Sequence, residues 1–203
     1  MKCPSTNCLI AIILYLLLIF LTLQNSFGQS INKSYKNCIN EYQNNHGNPE
    51  VFRECLIGLQ SPSFNVTSTN GKVYSSTTLK GKVVLLNFWF TTCQPCIKEI
   101  PNLNFLHKKF KGRPFELISF SPDNNEEVEK FIKKYPMNYS IISNAKQQIK
   151  EDFQIIAIGY PTSILVNKAG QIMEFRSGIP SDEAGISKVV SELETMITSE
   201  LNK

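Results

Sequence analysis

The chain has 203 residues, with 21 Lys and Arg against 17 Asp and Glu and a formal net charge of +4. Hydrophobic residues make up 42% of it and charged residues 19%, which excludes wholesale disorder and suits one globular domain with an added segment. The basic residues are scattered rather than gathered into a stripe with aromatic residues between them, so no nucleic-acid partner is expected.

The N-terminal residues have the pattern of an export signal. An apolar run from Leu9 to Leu23 follows Lys2, and small residues come after it. This order predicts a signal peptide over residues 1–28. The alternative is an uncleaved membrane anchor, although the run is shorter than the roughly 20 residues that cross a bilayer comfortably. In both cases the rest of the chain is exported, and we expect it in the periplasm.

Four cysteines remain after residues 1–28, an even number that permits two disulfides in an oxidising compartment. Apolar residues at helical spacing, on both sides of a polar turn around Gly47, predict a helical hairpin within residues 29–60. Cys38 and Cys55 lie nearly equidistant from that turn, so we predict a disulfide between them. The alternative is two buried thiols without a covalent bond.

From residue 61 onward the pattern changes to short strands that alternate with helices. Strands are predicted at 63–67, 72–74, 83–90, 115–120, 139–142, 163–166 and 171–175. Helices are predicted at 97–110, at 147–153 and at 181–201. A further helix is predicted to follow residue 123, with Asp123 as its N-cap. The strand at 83–90 is apolar almost throughout, as expected when helices cover both faces of a sheet. Parallel strands followed by a late antiparallel hairpin predict a three-layer α/β domain over residues 61–203.

The sequence Cys93-Gln94-Pro95-Cys96 falls between the long buried strand and the helix that follows it. Two cysteines at this spacing can close a small disulfide ring on the first turn of a helix. The unpaired N–H groups there favour a thiolate on the leading sulfur, and only a thiolate attacks a disulfide. We therefore assign Cys93, at an exposed lip, as the nucleophile and Cys96 as the resolving cysteine.

A cysteine pair at this spacing is also half of a zinc site. The histidines of the chain are His46 and His107. His107 lies about three turns along the helix that starts at the cysteines, too far to share a metal with Cys93. We expect no metal and no cofactor apart from the redox-active Cys93–Cys96 disulfide. A purely structural disulfide without turnover is the remaining alternative.

The segment from Gly81 to Trp89, the Cys93–Cys96 motif and Tyr160-Pro161-Thr162 resemble the thioredoxin superfamily. Together with the lead-in from residue 61, they are similar to the TlpA/ResA-like exported thiol:disulfide oxidoreductases of bacteria over about residues 61–199. The resemblance implies a thioredoxin-like α/β/α fold with a central mixed sheet, to which the N-terminal helical hairpin is added. It also implies a cis-Pro161 packed against the sulfurs, with the backbone before it free to pair with a substrate strand.

Some positions depart from the family pattern. Thr92 stands where many relatives carry Trp, and Asn87 stands where thioredoxins place a buried acid. Glu99 matches an acidic residue that tunes the cysteines in ResA-like members, which makes it a candidate acid or base. The alternative is a Glu99 that complements the helix N-terminus at the surface. The candidate substrate-binding residues are Trp89, Thr92, Gln94, Pro95 and Tyr160.

The leading hypothesis is an exported monomer that reduces disulfides in other proteins, with electrons from a membrane-bound donor. The family resemblance includes a role in cytochrome c maturation and cell redox homeostasis. A disulfide donor of the same fold is the first alternative, because a sequence does not give a reduction potential. A peroxidase is disfavoured, since Phe90 stands where peroxiredoxins carry a threonine. A partner-binding module, docking through the hairpin of residues 31–59, is the alternative outside enzymology.

Overall fold

The computed structural model describes residues 34–203, of which Tyr35–Lys203 form one compact unit. The predicted signal peptide or anchor over residues 1–28 lies outside the described residues. Among residues 34–203, no helix combines the length and the apolar character needed to cross a membrane.

The described chain contains five helices and seven strands. The helices are α1 (Tyr35–Asn44), α2 (Pro49–Leu56), α3 (Gln94–Lys109), α4 (Asn125–Lys134) and α5 (Glu183–Leu201). The strands are β1 (Asn65–Thr67), β2 (Val73–Ser75), β3 (Val83–Phe88), β4 (Phe115–Phe120), β5 (Ser140–Ile142), β6 (Thr162–Val166) and β7 (Ile172–Ser177). A π-helical turn at Gln148–Asp152 and a 3₁₀ turn at Ile155–Ala157 connect β5 to β6.

Five of the strands form a mixed sheet in the order β5–β4–β3–β6–β7. β3, β4 and β5 are parallel, whereas β6 and β7 run antiparallel to their neighbours. Every residue of β3 is buried, which explains why its sequence is apolar almost throughout. The predicted thioredoxin-like fold, a central mixed sheet with helices around it, is confirmed.

Alternation along β3 assigns its side chains to two separate cores. Val83 and Leu85 pack with residues of α3 and α5 on one face. Val84 and Leu86 pack on the other face with α1, α2, the β1–β2 hairpin and the π-helical turn. By the same alternation Asn87 lies on the face that α3 covers, which brings its amide under the start of that helix.

The N-terminal hairpin shares its core with the sheet. Cys38 and Cys55 form a disulfide that joins α1 to α2. The ring of Phe52 packs edge-on against Phe175 of β7, with 4.9 Å between ring centroids, and the Tyr35 hydroxyl donates to the carbonyl of Phe153 at 2.8 Å. Residues 35–56 therefore belong to the same compact unit as the sheet.

An ion pair also fastens α2 to β7. The Arg53 guanidinium donates to both carboxylate oxygens of Glu174, at 2.6 and 2.8 Å. Glu174 is buried, so the carboxylate of this pair carries its charge at a position that water does not reach.

Both edges of the sheet meet other segments of the chain. At the β7 edge, Gly58 N–H donates to the Ile172 carbonyl and Ile172 N–H donates to the Leu59 carbonyl, both at 2.8 Å. At the β5 edge, Thr69 N–H donates to the Ile141 carbonyl at 2.8 Å. The residues before β3 thus supply backbone partners to both outer strands.

The predicted Asp123 cap of α4 is wrong by one residue. Asn124 is the N-cap: its side chain accepts from Glu127 N–H, and the Glu127 carboxylate accepts from Asn124 N–H, both at 3.0 Å. This reciprocal capping satisfies two helix-terminal donors. The Asp123 carboxylate instead accepts a hydrogen bond from Thr91 N–H at 2.6 Å, which ties the loop before the cysteines to the end of β4.

Candidate active site

The two cysteines of the motif lie at the junction of β3 and α3. Cys93 is the N-cap of α3, and the Cys96 N–H donates to its Sγ at 3.3 Å. Pro95 occupies the first turn, where a missing N–H costs no helical hydrogen bond. Cys93 and Cys96 are joined by a disulfide. The free N–H groups of the first turn and the positive end of the helix dipole lie next to the position where a Cys93 thiolate would form. Both favour its negative charge.

Cys93 is not at an exposed lip in this disulfide form, contrary to the prediction. It is 4% exposed and Cys96 is 3% exposed, so the two sulfurs are almost equally covered. The N-cap geometry turns the Cys93 side chain back over the helix, where it packs in one cluster with Trp89 and Ile100. The surface above the disulfide is formed by exposed neighbours, which are Thr92, Gln94 and Pro95.

The loop before β6 lies beside this junction. The Tyr160–Pro161 peptide bond is cis, and the Tyr160 ring packs edge-on against Phe90, with 5.1 Å between centroids. The Pro161 carbonyl accepts from Gly178 N–H at 2.7 Å. Within residues 34–203, the N–H and carbonyl of Tyr160 form no hydrogen bond with another backbone group. Burial raises the pKa of the Tyr160 hydroxyl, and the negative charge of Asp123 raises it further.

Trp89 lies beneath the surface rather than on it. Its side chain is 2% exposed and its ring packs against Phe131 of α4, with 4.9 Å between centroids. The buried Trp89 therefore supports the floor of the site, and the predicted substrate contact at this residue does not fit its placement. Thr92, Gln94 and Tyr160 retain accessible surface.

A polar group is buried below the disulfide, on the second turn of α3. The Asn87 amide donates to Glu99 Oε2 at 3.0 Å and to Ser163 Oγ at 3.2 Å. Asn87 and Ser163 are direct partners across β3 and β6. Glu99 retains some surface as a residue, but its carboxyl group is enclosed. Burial raises the pKa of this carboxyl to about 7, although hydrogen bonds from Asn87 and Ser163 favour its charged form.

Tyr139 also belongs to the surroundings of Glu99. Its hydroxyl is buried and has no hydrogen-bond partner among the described residues. Burial raises the pKa of this hydroxyl well above its usual value, and the charge of Glu99 adds to the effect. The carboxyl of Glu99 therefore lies in a region where negative charge is poorly solvated.

Comparisons with known proteins agree with this geometry. A sequence profile described as the AhpC/TSA family matches residues 57–175. The thiol-disulfide oxidoreductase ResA of one Bacillus cereus strain is 37% identical over 119 residues, which cover 58% of this chain and 68% of that protein. The chain belongs to the AhpC/TSA family. Its ResA-named relatives are thiol-disulfide oxidoreductases, and the chain is an oxidoreductase of this kind.

Solved structures support the same assignment. A thiol:disulfide interchange protein from a Bacteroides species has a TM-score of 0.59 at 26% identity, over 70% of this chain and 90% of that one. StoA from Bacillus subtilis has a TM-score of 0.53 at 26% identity, over 66% of this chain and 94% of that one. The alignments leave about three tenths of the chain unmatched in both cases.

Several residues of this ResA-like site were missed by the sequence analysis. Ser163 of β6 and Tyr139, the residue before β5, reach the surroundings of Glu99, and Asp123 fixes the loop before Cys93. A signal for Ser163 exists in retrospect. Asn87 and Ser163 are polar residues in two mostly apolar strands, and as direct partners they face the same helix. Nothing in the sequence singles out Tyr139 from the other aromatic residues.

Proposed function

We propose that this protein reduces disulfide bonds in other exported proteins through the Cys93/Cys96 dithiol. The observation that supports this most is the Cys93–Cys96 disulfide at the start of α3 beside the cis Tyr160–Pro161 bond. The arrangement combines a cysteine pair at a helix N-terminus with a loop in which the Tyr160 N–H and carbonyl have no backbone partner in the described part of the chain.

The reaction consists of two thiol–disulfide exchanges. In the first, the Cys93 thiolate attacks one sulfur of the substrate disulfide, a mixed disulfide forms, and the other substrate sulfur leaves as a thiolate that takes up a proton. In the second, the Cys96 thiolate attacks Cys93 Sγ and releases the second substrate thiol. The substrate gains two electrons and two protons, and Cys93 and Cys96 become the disulfide.

Substrate recognition is assigned to the surface around the buried sulfurs. Among residues 34–203, the N–H and carbonyl of Tyr160 bond to no other backbone group, so they can pair with an extended segment beside the substrate cysteine. Thr92, Gln94 and Pro95 are exposed along the path to the disulfide. The reduced form is the one that meets a substrate disulfide, and in it these neighbours would border the Cys93 thiolate.

Glu99 is proposed as an acid and base for the resolving step. A carboxyl whose pKa is about 7 can take up and release a proton at neutral pH, and it lies one helical turn beyond Cys96. The expected consequence is a shift in the titration of the two thiols in reduced Glu99→Gln. Unchanged thiol titration, measured by the pH dependence of alkylation, would remove Glu99 from the mechanism.

The biological setting follows from the resemblance to ResA. We propose export to the periplasm, a monomeric state, and electrons supplied by a membrane-bound dithiol protein. Cytochrome c maturation is the proposed pathway, with a disulfide in the apoprotein as the substrate. The alternative direction is disulfide donation, and a reduction potential above about −180 mV, measured by glutathione titration, would favour it.

Trapping tests the proposed function directly. Cys96→Ser should hold a disulfide-containing test protein on Cys93 as a mixed disulfide that mass spectrometry detects. Cys93→Ser should form no adduct and should lose insulin reduction. Cys38→Ser/Cys55→Ser serves as the control, because it removes a disulfide outside the site and should retain activity. Equal insulin reduction by Cys93→Ser and the unmodified protein would favour the partner-binding module instead.

A further inference from the structure

A cavity of about 130 Å³ lies far from the cysteines, between the sheet and the segments that precede it. We call it the β3–β6 cavity. Its inner wall is apolar and is built from separate parts of the chain, which are Phe64, Leu79, Val84, Leu86 and Val166. Apolar surface in such a recess is favourably removed from water by a hydrocarbon ligand, and an enclosed apolar cavity of about 150 Å³ is known to bind benzene.

The wall of the cavity is held open by contacts on its far side. The Phe64 ring packs edge-on against Phe120 at 5.6 Å and lies 6.0 Å from Phe153, between centroids. The Phe64 N–H also donates to Ser76 Oγ at 3.1 Å. The Phe64 ring therefore packs against Phe120 and Phe153, and the space beside it stays open. The cavity is therefore preformed, as small-molecule sites usually are.

The mouth of the cavity is polar and carries a single kind of charge. Gln60, Ser61, Ser76 and Asn167 line it together with Lys80, and no carboxylate is among the lining residues. Lys80 has no ion pair with any residue of the described chain, and its side chain is exposed. An apolar interior with an exposed lysine among the residues that line it fits a ligand that has a short hydrocarbon chain and an anionic head.

We propose that the β3–β6 cavity binds a small amphipathic carboxylate, with its hydrocarbon chain against Val84 and Val166 and its head beside Lys80. A chain of about six carbons matches the cavity, by comparison with benzene in a slightly larger one. The site goes beyond the proposed reductase function and does not depend on it.

The cavity is separate from the active site. Val84 lies at the beginning of β3, about 13 Å from Phe88 along the strand, and Cys93 follows beyond the far end. Val84 and Leu86 also face away from α3, on the side of the sheet opposite to Asn87 and Glu99. Variants in the cavity are therefore expected to leave insulin reduction unchanged.

The proposal is tested by measuring the binding of three small molecules to the purified protein. Calorimetry or NMR titration should show saturable binding of hexanoate, weaker binding of hexan-1-ol and no binding of acetate. V84F places a ring inside the cavity and should weaken hexanoate binding at least tenfold. V73F is the matched control, because Val73 is 55% exposed and outside the cavity, and it should bind like the unmodified protein.

The charge is tested by K80Q, with the exposed Lys146 changed to Gln as its control. K80Q should weaken hexanoate binding about threefold and leave hexan-1-ol unaffected, as expected for one exposed charge pair. The proposal is overturned if neither six-carbon probe saturates, if folded V84F binds hexanoate normally, or if K80Q does not discriminate between the two probes. Should V84F fail to fold, the K80Q comparison and the NMR shifts of the Leu79 and Val166 methyl groups decide the question.

Discussion

Asn87 of the central strand donates a hydrogen bond to Glu99 of α3, with 3.0 Å between Nδ2 and Oε2. The strand position that the thioredoxin resemblance associates with a buried acid therefore carries an amide, and the buried carboxyl comes from the helix instead. The amide offers a donor to the carboxylate, so it favours the charged form while burial opposes it. This balance places the carboxyl in the range where it titrates near neutral pH.

The first prediction concerns the stability of the disulfide form as pH changes. Glu99 has a pKa of about 7 when folded and about 4.3 when unfolded, so the folded state holds the proton more tightly. Its contribution is fully present below about pH 4 and is lost as pH rises through 7, on the order of 3 kcal/mol in total. Glu99→Gln should lack this loss and should be more stable than the unmodified protein at pH 8.

Denaturant unfolding at several pH values, without reductant, measures the effect. Glu126→Gln is a suitable control, because Glu126 is exposed and pairs only with Lys130 on the same helix among the described residues. Parallel stability–pH curves for Glu99→Gln and the unmodified chain would contradict the assignment of the raised pKa to Glu99.

The second prediction concerns Asn87 as a positioning residue for Glu99. Asn87→Ala removes the donor to the carboxylate, so the pKa of Glu99 should rise by about one to two units, the equivalent of one hydrogen bond to a charged group. The midpoint of the stability–pH curve should move up with it. In a Glu99→Gln background the same change should have no such effect on pH dependence. A shift that persists in that background would place the titrating group elsewhere.

The third prediction concerns the Cys38–Cys55 disulfide. It closes a loop with a sequence separation of 17, and its removal in Cys38→Ser/Cys55→Ser should lower the free energy of unfolding by about 3 kcal/mol. Insulin reduction should persist at temperatures where the variant remains folded, since the hairpin contributes none of the active-site residues. Loss of activity in a variant with native circular dichroism would show that the hairpin has a catalytic role.

The fourth prediction concerns the ion pair between α2 and β7. Arg53→Ala removes the guanidinium that donates two hydrogen bonds to the buried Glu174 carboxylate and leaves it the longer ion pair with Arg176, at 3.8 Å, so the fold should be destabilised by about 3 kcal/mol. Arg53→Ala/Glu174→Gln should recover part of that loss, because a buried charge that Arg176 alone compensates at 3.8 Å is gone. Arg113→Ala, at an exposed hydrogen bond to Asn202, should cost less than about 1 kcal/mol by the same unfolding measurement. Equal losses for the two arginine variants would contradict the proposed importance of the buried carboxylate.

The order of elements was predictable from the sequence because it depends on local pattern. The apolar run that became β3, the turn at Asn48–Pro49 and the Cys93–Cys96 motif are all local signals. The hairpin disulfide was predictable because its two cysteines flank one turn at nearly equal distances. The boundaries were less accurate, since β3 ends at Phe88 and α3 already begins at Gln94.

The electrostatics of the site could not be predicted in the same way. The surroundings of Glu99 come from three parts of the chain that lie far apart in the sequence, which are Asn87 in β3, Ser163 in β6 and Tyr139 just before β5. The burial of Glu99 depends on how these distant residues come together in the fold. The sequence therefore left both a buried and a surface position of Glu99 open. The exposure of Cys93 was misjudged for a related reason: the motif predicts the start of a helix, but the N-cap rotation that covers the sulfur depends on packing against Trp89 and Ile100.

The backbone contacts at the two margins of the sheet have a consequence for behaviour in a crowded compartment. A bare outer strand can recruit a strand from another molecule and start irreversible aggregation. Here Gly58 and Leu59 pair with one margin and Thr69 with the other, so neither outer strand offers an uninterrupted template. The residues after α2 and the β1–β2 loop thus act against edge-to-edge pairing with a second chain.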